Sequence, residues 1–227
     1  MLKSVTYFNC RGKSEQMCKD MVYCRENGDE GFYSLADGVN SCAKSHIGAR
    51  AVQKAIADFW EEQPEYFFSA PNAEIKIRLI ETIKNVIYNL AKDEFYVGEY
   101  ASTLLIVFIS RKQSLYKWVH IGDGLIAEEM ISGEMKIESH PQNGITKQFT
   151  FTTVHKNLEY YLRMGLGSLQ DVKRFLLFTD GALQSFYRER KFTENGEEFL
   201  QKGSELYYRV LSQLEIQDDY SMIDIRV

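Results

Sequence analysis

Aspartate followed by glycine closes three apolar segments of this sequence. "FYSLADGV" carries Asp37-Gly38, "WVHIGDGL" carries Asp123-Gly124 and "FLLFTDGAL" carries Asp180-Gly181. Asp-Gly is ordinary turn chemistry, because Asp tolerates left-handed backbone and glycine supplies positive φ. Three instances after core-like runs raise a second reading. An ionised carboxylate partly buried at the end of a strand is costly without a partner. Fixed cations are sparse nearby: Lys44 follows Asp37, and the next after Asp180 is Arg188. A metal ion would supply the missing charge, and the adjacent glycine would let a carbonyl or a water approach it. Two more acidic loci fit the pattern, Asp218-Asp219 in "IQDDYSMIDIRV" and Asp20 in "CKDMVYC". Oxygen ligands alone select hard cations such as Mg2+ or Mn2+. On spacing alone, the turn reading and the metal reading both stand.

Short strands are expected over 3–8, 21–24 and 31–37 to carry the first of these residues. A helix begins near Ser45, with Val52, Ala55, Ile56 and Phe59 at i, i+3, i+4 and i+7, and Pro64 ends or interrupts it. A second helix follows Pro71-Asn72, its apolar face marked by Ile75, Leu79, Ile83, Val86 and Leu90. Strands return over 102–110 and 114–123, joined at hairpin spacing. A further hairpin is expected about Ser132-Gly133. The stretch 140–147 reads as a loop and 157–164 as a short helix. "KRFLLFTD" is the strongest strand signal, a helix is expected over about 199–214, and "YSMIDIRV" alternates as a closing strand. This order lacks the βαβα alternation of a parallel sheet. It indicates an α+β protein whose antiparallel sheets are covered by helices.

A chain of 227 residues suits one domain, 1–227, with ample core. The net charge of −5 argues against a nucleic-acid backbone as partner and agrees with a site that gathers cations. The N-terminus lacks an apolar signal core, and the longest apolar run, "LLIVFI", is too short to span a bilayer. The expectation is a cytoplasmic protein with no membrane partner. Cys10, Cys18, Cys24 and Cys42 show no CxxC spacing and read as free thiols rather than zinc ligands. His46, His120, His140 and His155 read as structural or exposed, since no motif gives any of them a catalytic position.

The segments "ADGVNSCAKSHIGARAVQKAI", "ASTLLIVFI", "KWVHIGDGLIAEE", "RFLLFTDGAL" and "DDYSMIDIRV" occur in that order. Together they resemble the successive motifs of the metal-dependent protein phosphatases, the 2C-type (PPM) Ser/Thr phosphatases. "GKSEQMCKD" resembles the N-terminal motif of bacterial members, so the likeness spans about residues 5 to 227. It implies a sandwich of two antiparallel β-sheets flanked by helices on both sides. It also implies two Mn2+ or Mg2+ ions, with a position for a third, that activate a water against a phosphorylated Ser or Thr of a protein substrate. By the match, Asp37 would bridge two ions and the Gly38 carbonyl would bind one of them. Asp180 and Asp218 would complete the other, Asp20 would hold water, and Asp123 would serve the third ion.

Several positions differ from the family pattern. Asn40-Ser41 stands where Gly-Gly is common, and Lys19 where an acidic residue often precedes Asp20. The arginine usual after the Asp123 position is missing. Glu15 lies where eukaryotic members bring a phosphate-binding arginine, with only Arg11 and Lys13 near. Two rival functions follow. One is a catalytically silent relative that binds a phosphoprotein as a regulatory module. The other is a different two-metal enzyme, a nuclease or nucleotide phosphohydrolase, against which the acidic charge argues.

Overall fold

The computed structural model describes residues 4–92, 96–144, 149–184 and 186–227. Two five-stranded sheets form the body. One takes β1 (Ser4–Cys10), β12 (Tyr220–Arg226), β9 (Val172–Phe178), β6 (Leu125–Met130) and β7 (Met135–Ser139) in that spatial order. The other takes β2 (Met21–Asn27), β3 (Glu30–Ala36), β4 (Leu104–Ser110), β5 (Leu115–Ile121) and β8 (Arg163–Ser168). Every neighbouring pair is antiparallel. A two-stranded hairpin, β10 (Tyr187–Arg188) and β11 (Lys191–Phe192), stands apart.

Side-chain alternation explains the layers. In β3, Tyr33 and Leu35 pack between the sheets with Leu105, Val107, Phe175, Leu177, Ile223 and Ile225. Phe32 and Ala36 point the opposite way, into a core shared with α1 (Ser45–Glu62) and α3 (Asn72–Ala91). Strands covered on both faces are buried throughout, which is why the β4 sequence is an unbroken apolar run. The other sheet has its own outer core, where Leu176, Phe178 and Met222 meet Leu200 of α6 (Glu194–Lys202) and Tyr207 and Leu211 of α7 (Ser204–Gln213). The result is the α+β sandwich with helices on both outer faces. Arg174 bonds Glu129, Asp224 and the Leu200 carbonyl, tying three strands of this sheet to α6.

Both early helices lie where the apolar spacing puts them. Pro64 does interrupt the first, but it also starts a new one, α2 (Pro64–Ser69), where its missing N–H and fixed φ suit the first turn. The helix expected over 199–214 is instead two helices, broken at Gly203 with φ +116°. The 157–164 stretch helical in expectation is α4 (Leu158–Tyr161) only, and Arg163 already begins β8. The loop expected over 140–147 falls partly outside the described residues. The four cysteines are unpaired. Among the described residues, no helix is long and apolar enough to cross a membrane.

Candidate functional site

Strand register brings the aspartates to one end of the sandwich. In one sheet Met21, first in β2, pairs with Ala36, last in β3, and Leu104, first in β4, pairs with Ile121, last in β5. Asp20, Asp37, Thr103 and Asp123 therefore share an end. In the other sheet Phe178, last in β9, pairs with Met222 in β12 and with Leu125, first in β6. Asp180 and Asp218 therefore share an end with Asp123. Gly122-Asp123-Gly124 carries the chain from β5 in one sheet to β6 in the other, so the two ends are the same. Asp123 thus sits at a crossing between sheets rather than in a hairpin turn.

Local chemistry fixes each residue. Thr103 clamps the Asp37 backbone from both sides: its N–H donates to the Asp37 carbonyl at 2.8 Å, and its Oγ1 accepts from the Asp37 N–H at 2.9 Å. Gly38 is buried, and a Cβ there would lie 2.8 Å from Ser45 Oγ and 2.9 Å from the Lys19 carbonyl. Asp180 opens a short helix, α5 (Asp180–Leu183), and its Oδ1 accepts from the Gly181 N–H at 2.7 Å. A Cβ on Gly181 would lie 2.0 Å from the Asp219 carbonyl, so this turn packs directly on the segment that carries Asp218. Asp20 is fully buried behind the cleft, with Oδ2 accepting from Thr179 Oγ1 at 2.9 Å.

The two adjacent aspartates before β12 divide their labour. Asp219 is buried, and its oxygens accept the N–H groups of Gly12 at 2.9 Å and Lys19 at 2.6 Å. It pins the N-terminal loop. Asp218 is the one that faces the cleft. The residues that sequence reading passed over are the donors Thr103, Thr150 and Thr179, and Asn40, noted there only as a departure from the family pattern, is a fourth donor. Thr103 and Thr179 directly adjoin motif residues, which is the signal they carried.

Asp37, Asp123, Asp180 and Asp218 line one cleft of about 500 Å3, together with Asn40 and Thr103. Electrostatics record their crowding. Burial raises the Asp37 carboxyl well above its usual range, followed by Asp20, Asp123 and Asp218. Asp180 is raised by burial and then by Asp37, Asp123 and Asp218. Asp123 is raised chiefly by burial, against a hydrogen bond from Thr150 that lowers it. Asp20 is pushed up to about 7, again mainly by burial. Its Oδ1 is buried with no donor, and it interacts with the Asp37 carboxyl. Two carboxylates in that arrangement need a proton or a cation between them.

Four of these five carboxylates also have a local donor: Asn40 Nδ2 to Asp218 Oδ1 at 2.7 Å, Thr150 Oγ1 to Asp123 Oδ2, Thr179 to Asp20 and the Gly181 N–H to Asp180. Asp37, Asp123, Asp180 and Asp218 line the cleft, and Asp20 lies buried behind it. Among the described residues, no group of three or more His, Cys, Asp or Glu side chains is arranged to hold a metal ion as it stands. The donor set is nevertheless the right kind for a hard divalent cation: all oxygen, mutually repelling, with one orphaned buried oxygen.

Beside this cleft runs a wider groove of about 780 Å3, which shares Asp123 and Asp180 and continues past His140, Tyr187, Arg188 and Arg190. Three of the four histidines are occupied structurally. His120 is buried against Ser139 and Arg163, and His140 Nδ1 lies 2.6 Å from Tyr187 Oη. His155 packs on Phe151 and Tyr161.

The sequence profile of the family described as Protein phosphatase 2C matches residues 11–214. Solved structures of similar fold include the serine/threonine phosphatase Stp1 from Staphylococcus aureus. It is 12% identical, with 100% of this chain and 95% of that chain covered and a TM-score of 0.71. The serine/threonine phosphatase PstP/Ppp from Mycobacterium tuberculosis is 14% identical over 100% and 99% of the chains, with a TM-score of 0.70. RsbX in complex with magnesium is 14% identical over 98% and 94%, with a TM-score of 0.65. At these identities the likeness is one of fold. No curated protein matches the chain by sequence.

Proposed function

Because the chain belongs to the protein phosphatase 2C family, we propose that it is a metal-dependent Ser/Thr protein phosphatase whose centre is the ring of strand-end aspartates. The observation that supports this reading is the meeting of Asp37, Asp123, Asp180 and Asp218 in one cleft. They come from distant parts of the sequence, and burial, then neighbouring carboxylates, raises the carboxyls of Asp37, Asp123 and Asp180. Such an arrangement is unfavourable for stability and is intelligible where a cation compensates it. Asp37, the Gly38 carbonyl, Asp180 and Asp218 would hold two Mn2+ or Mg2+ ions, with Asp20 behind them and Asp123 available to a third. When bound, the ions supply an acidified water and positive charge for the phosphoryl oxygens.

The chain's own residues supply position. Thr103 holds the Asp37 backbone rigid at the end of a strand buried on both faces, so the carboxylate does not drift. Thr179 orients Asp20, and the Gly181 N–H orients Asp180. The reaction transfers a phosphoryl group to water and releases the Ser or Thr hydroxyl, with no covalent enzyme intermediate. Away from the cleft, burial raises the Cys10, Cys18 and Cys24 thiols, away from the reactive thiolate form.

A second reading is a silent relative that binds phosphoprotein without turnover. The bond from Asn40 to Asp218, at a position where relatives commonly carry glycine, favours it. Turnover of para-nitrophenyl phosphate separates the two. The phosphatase reading expects hydrolysis with Mn2+, loss in EDTA and recovery when Mn2+ is restored. Full activity in excess EDTA, or none under any metal, contradicts it.

A further inference from the structure

The wide groove carries a charge that the aspartate cleft does not explain. Its floor opens on Asp123 and Asp180, and its far wall is the β10–β11 hairpin. At the hairpin tip Arg188, Arg190 and Lys191 outweigh Glu189, and all four side chains are exposed. Among the described residues neither Arg188 nor Arg190 has a carboxylate partner, although the chain as a whole is acidic. Behind them Arg163 is half-buried. It donates to His120 and to the His140 carbonyl at 2.6 Å, again with no carboxylate, and its Nε is buried and unpartnered. Arg190 is close enough to Arg163, His140 and Tyr187 to act on all three electrostatically. The hairpin wall of the groove thus carries a net positive charge.

The hairpin's geometry is a second observation. Arg188 pairs with Lys191, so the turn has two central residues, Glu189 and Arg190, at φ +50° and +66°. That turn favours Asn and Gly. Long charged side chains in left-handed backbone are strained, and such strain tends to persist where the side chains have a use.

We propose that this groove binds the polypeptide flanking the phosphorylated residue, and that Arg188 and Arg190 select substrates with acidic side chains there. The proposal rests on the phosphatase reading for the identity of the occupant. A phosphorylated side chain reaching Asp123 and Asp180 leaves its neighbours in this groove, since the two cavities share those residues. The carboxylates of the cleft repel an acidic peptide, so a preference for one needs counter-charge close by, and the hairpin tip supplies it. Exposed ion pairs are individually weak, so the pair of arginines should give about tenfold discrimination at low salt, shrinking as salt is added.

The test compares two phosphoserine peptides of equal length, one flanked by aspartates and one by serines. Both are measured for kcat/KM with Mn2+ and, as fluorescein conjugates, for binding by anisotropy. The readout is the acidic-to-neutral ratio, in which any general loss of active protein cancels. Wild type should favour the acidic peptide about tenfold. The double substitution Arg188→Gln with Arg190→Asn, where Asn suits the left-handed turn, should bring the ratio close to one. Arg188→Glu with Arg190→Glu should invert it. A wild-type ratio near one, or a ratio that survives both substitutions, overturns the proposal. If no peptide is turned over yet binding keeps the arginine-dependent ratio, the phosphatase reading fails and the docking assignment stands. If binding shows no preference either, both fail.

Discussion

At Asp180 a carboxylate is held raised by burial and by Asp37, Asp123 and Asp218 at the mouth of a cleft. The proposed function makes that repulsion the counterpart of a bound cation. Replacing Asp180 with Asn keeps the shape and removes the charge. Turnover of para-nitrophenyl phosphate by Asp180→Asn should therefore fall by about 10^2–10^3-fold or more. The metal-free variant should melt at or above wild type, because one repelling charge is gone. A variant with near wild-type turnover at saturating Mn2+ would remove Asp180 from the site. Asp37, Asp123 and Asp180 were legible in the sequence because Asp-Gly after an apolar strand is a local pattern. Their donors were not. Thr150 reaches Asp123 across 27 residues and Asn40 reaches Asp218 across 178. Nor does spacing alone tell Asp218 from Asp219; it was the family resemblance that pointed to Asp218. Only the close approach of Gly181 to the Asp219 carbonyl, and the bonds from Gly12 and Lys19, turn one inward and leave the other in the cleft.

At the scale of elements, two glycines set geometry for different reasons. Gly181 has no room, since an added Cβ would lie 2.0 Å from the Asp219 carbonyl, whereas Gly203 has open space around it but φ of +116°. Gly181→Ala should cost about 1–3 kcal/mol by overpacking and also reduce turnover, because Asp180 moves with the turn. Gly203→Ala should cost about 1–3 kcal/mol through backbone strain alone and leave turnover intact. Thermal melts and para-nitrophenyl phosphate turnover on both variants check this, and equal effects on turnover would contradict it. The strands and the first two helices follow from periodicity, since each buries a continuous apolar face. The break at Gly203 escaped that reasoning because the Leu, Tyr and Val spacing continues through it, and the glycine's conformation is set by packing of α6 and α7 on the sheet. Strand β8 escaped because its short sequence, with Gly165 and Gly167, lies against the rings of Trp118 and Tyr116 rather than alternating in hydrophobicity.

At the scale of the molecule, two sheets are crossed by Gly122-Asp123-Gly124 so that their strand ends meet, and the fold concentrates negative charge there. A raised carboxyl in the fold means that the folded state keeps a proton over a pH range in which the unfolded chain has lost it. Such a group contributes stability at low pH and withdraws it as pH rises toward the folded value. For Asp20 that window runs from its ordinary 3.8 to about 7, and Asp37, Asp123 and Asp180 act in the same direction. The metal-free protein should lose this contribution between about pH 4 and pH 7, visible as a falling urea midpoint, and Mn2+ should restore it at pH 7. A midpoint that rises through that range, or that ignores Mn2+ at pH 7, would contradict the assignment. The most direct measurement is a calorimetric titration of Mn2+ into metal-free protein at pH 7, with wild type and Asp37→Asn side by side. Wild type should take up about two ions per chain and release protons as the crowded carboxyls ionise, and Asp37→Asn should lose most of that uptake. A wild-type protein that binds no Mn2+, or an Asp37→Asn variant that binds as wild type does, would contradict a metal centre built on these strand-end aspartates.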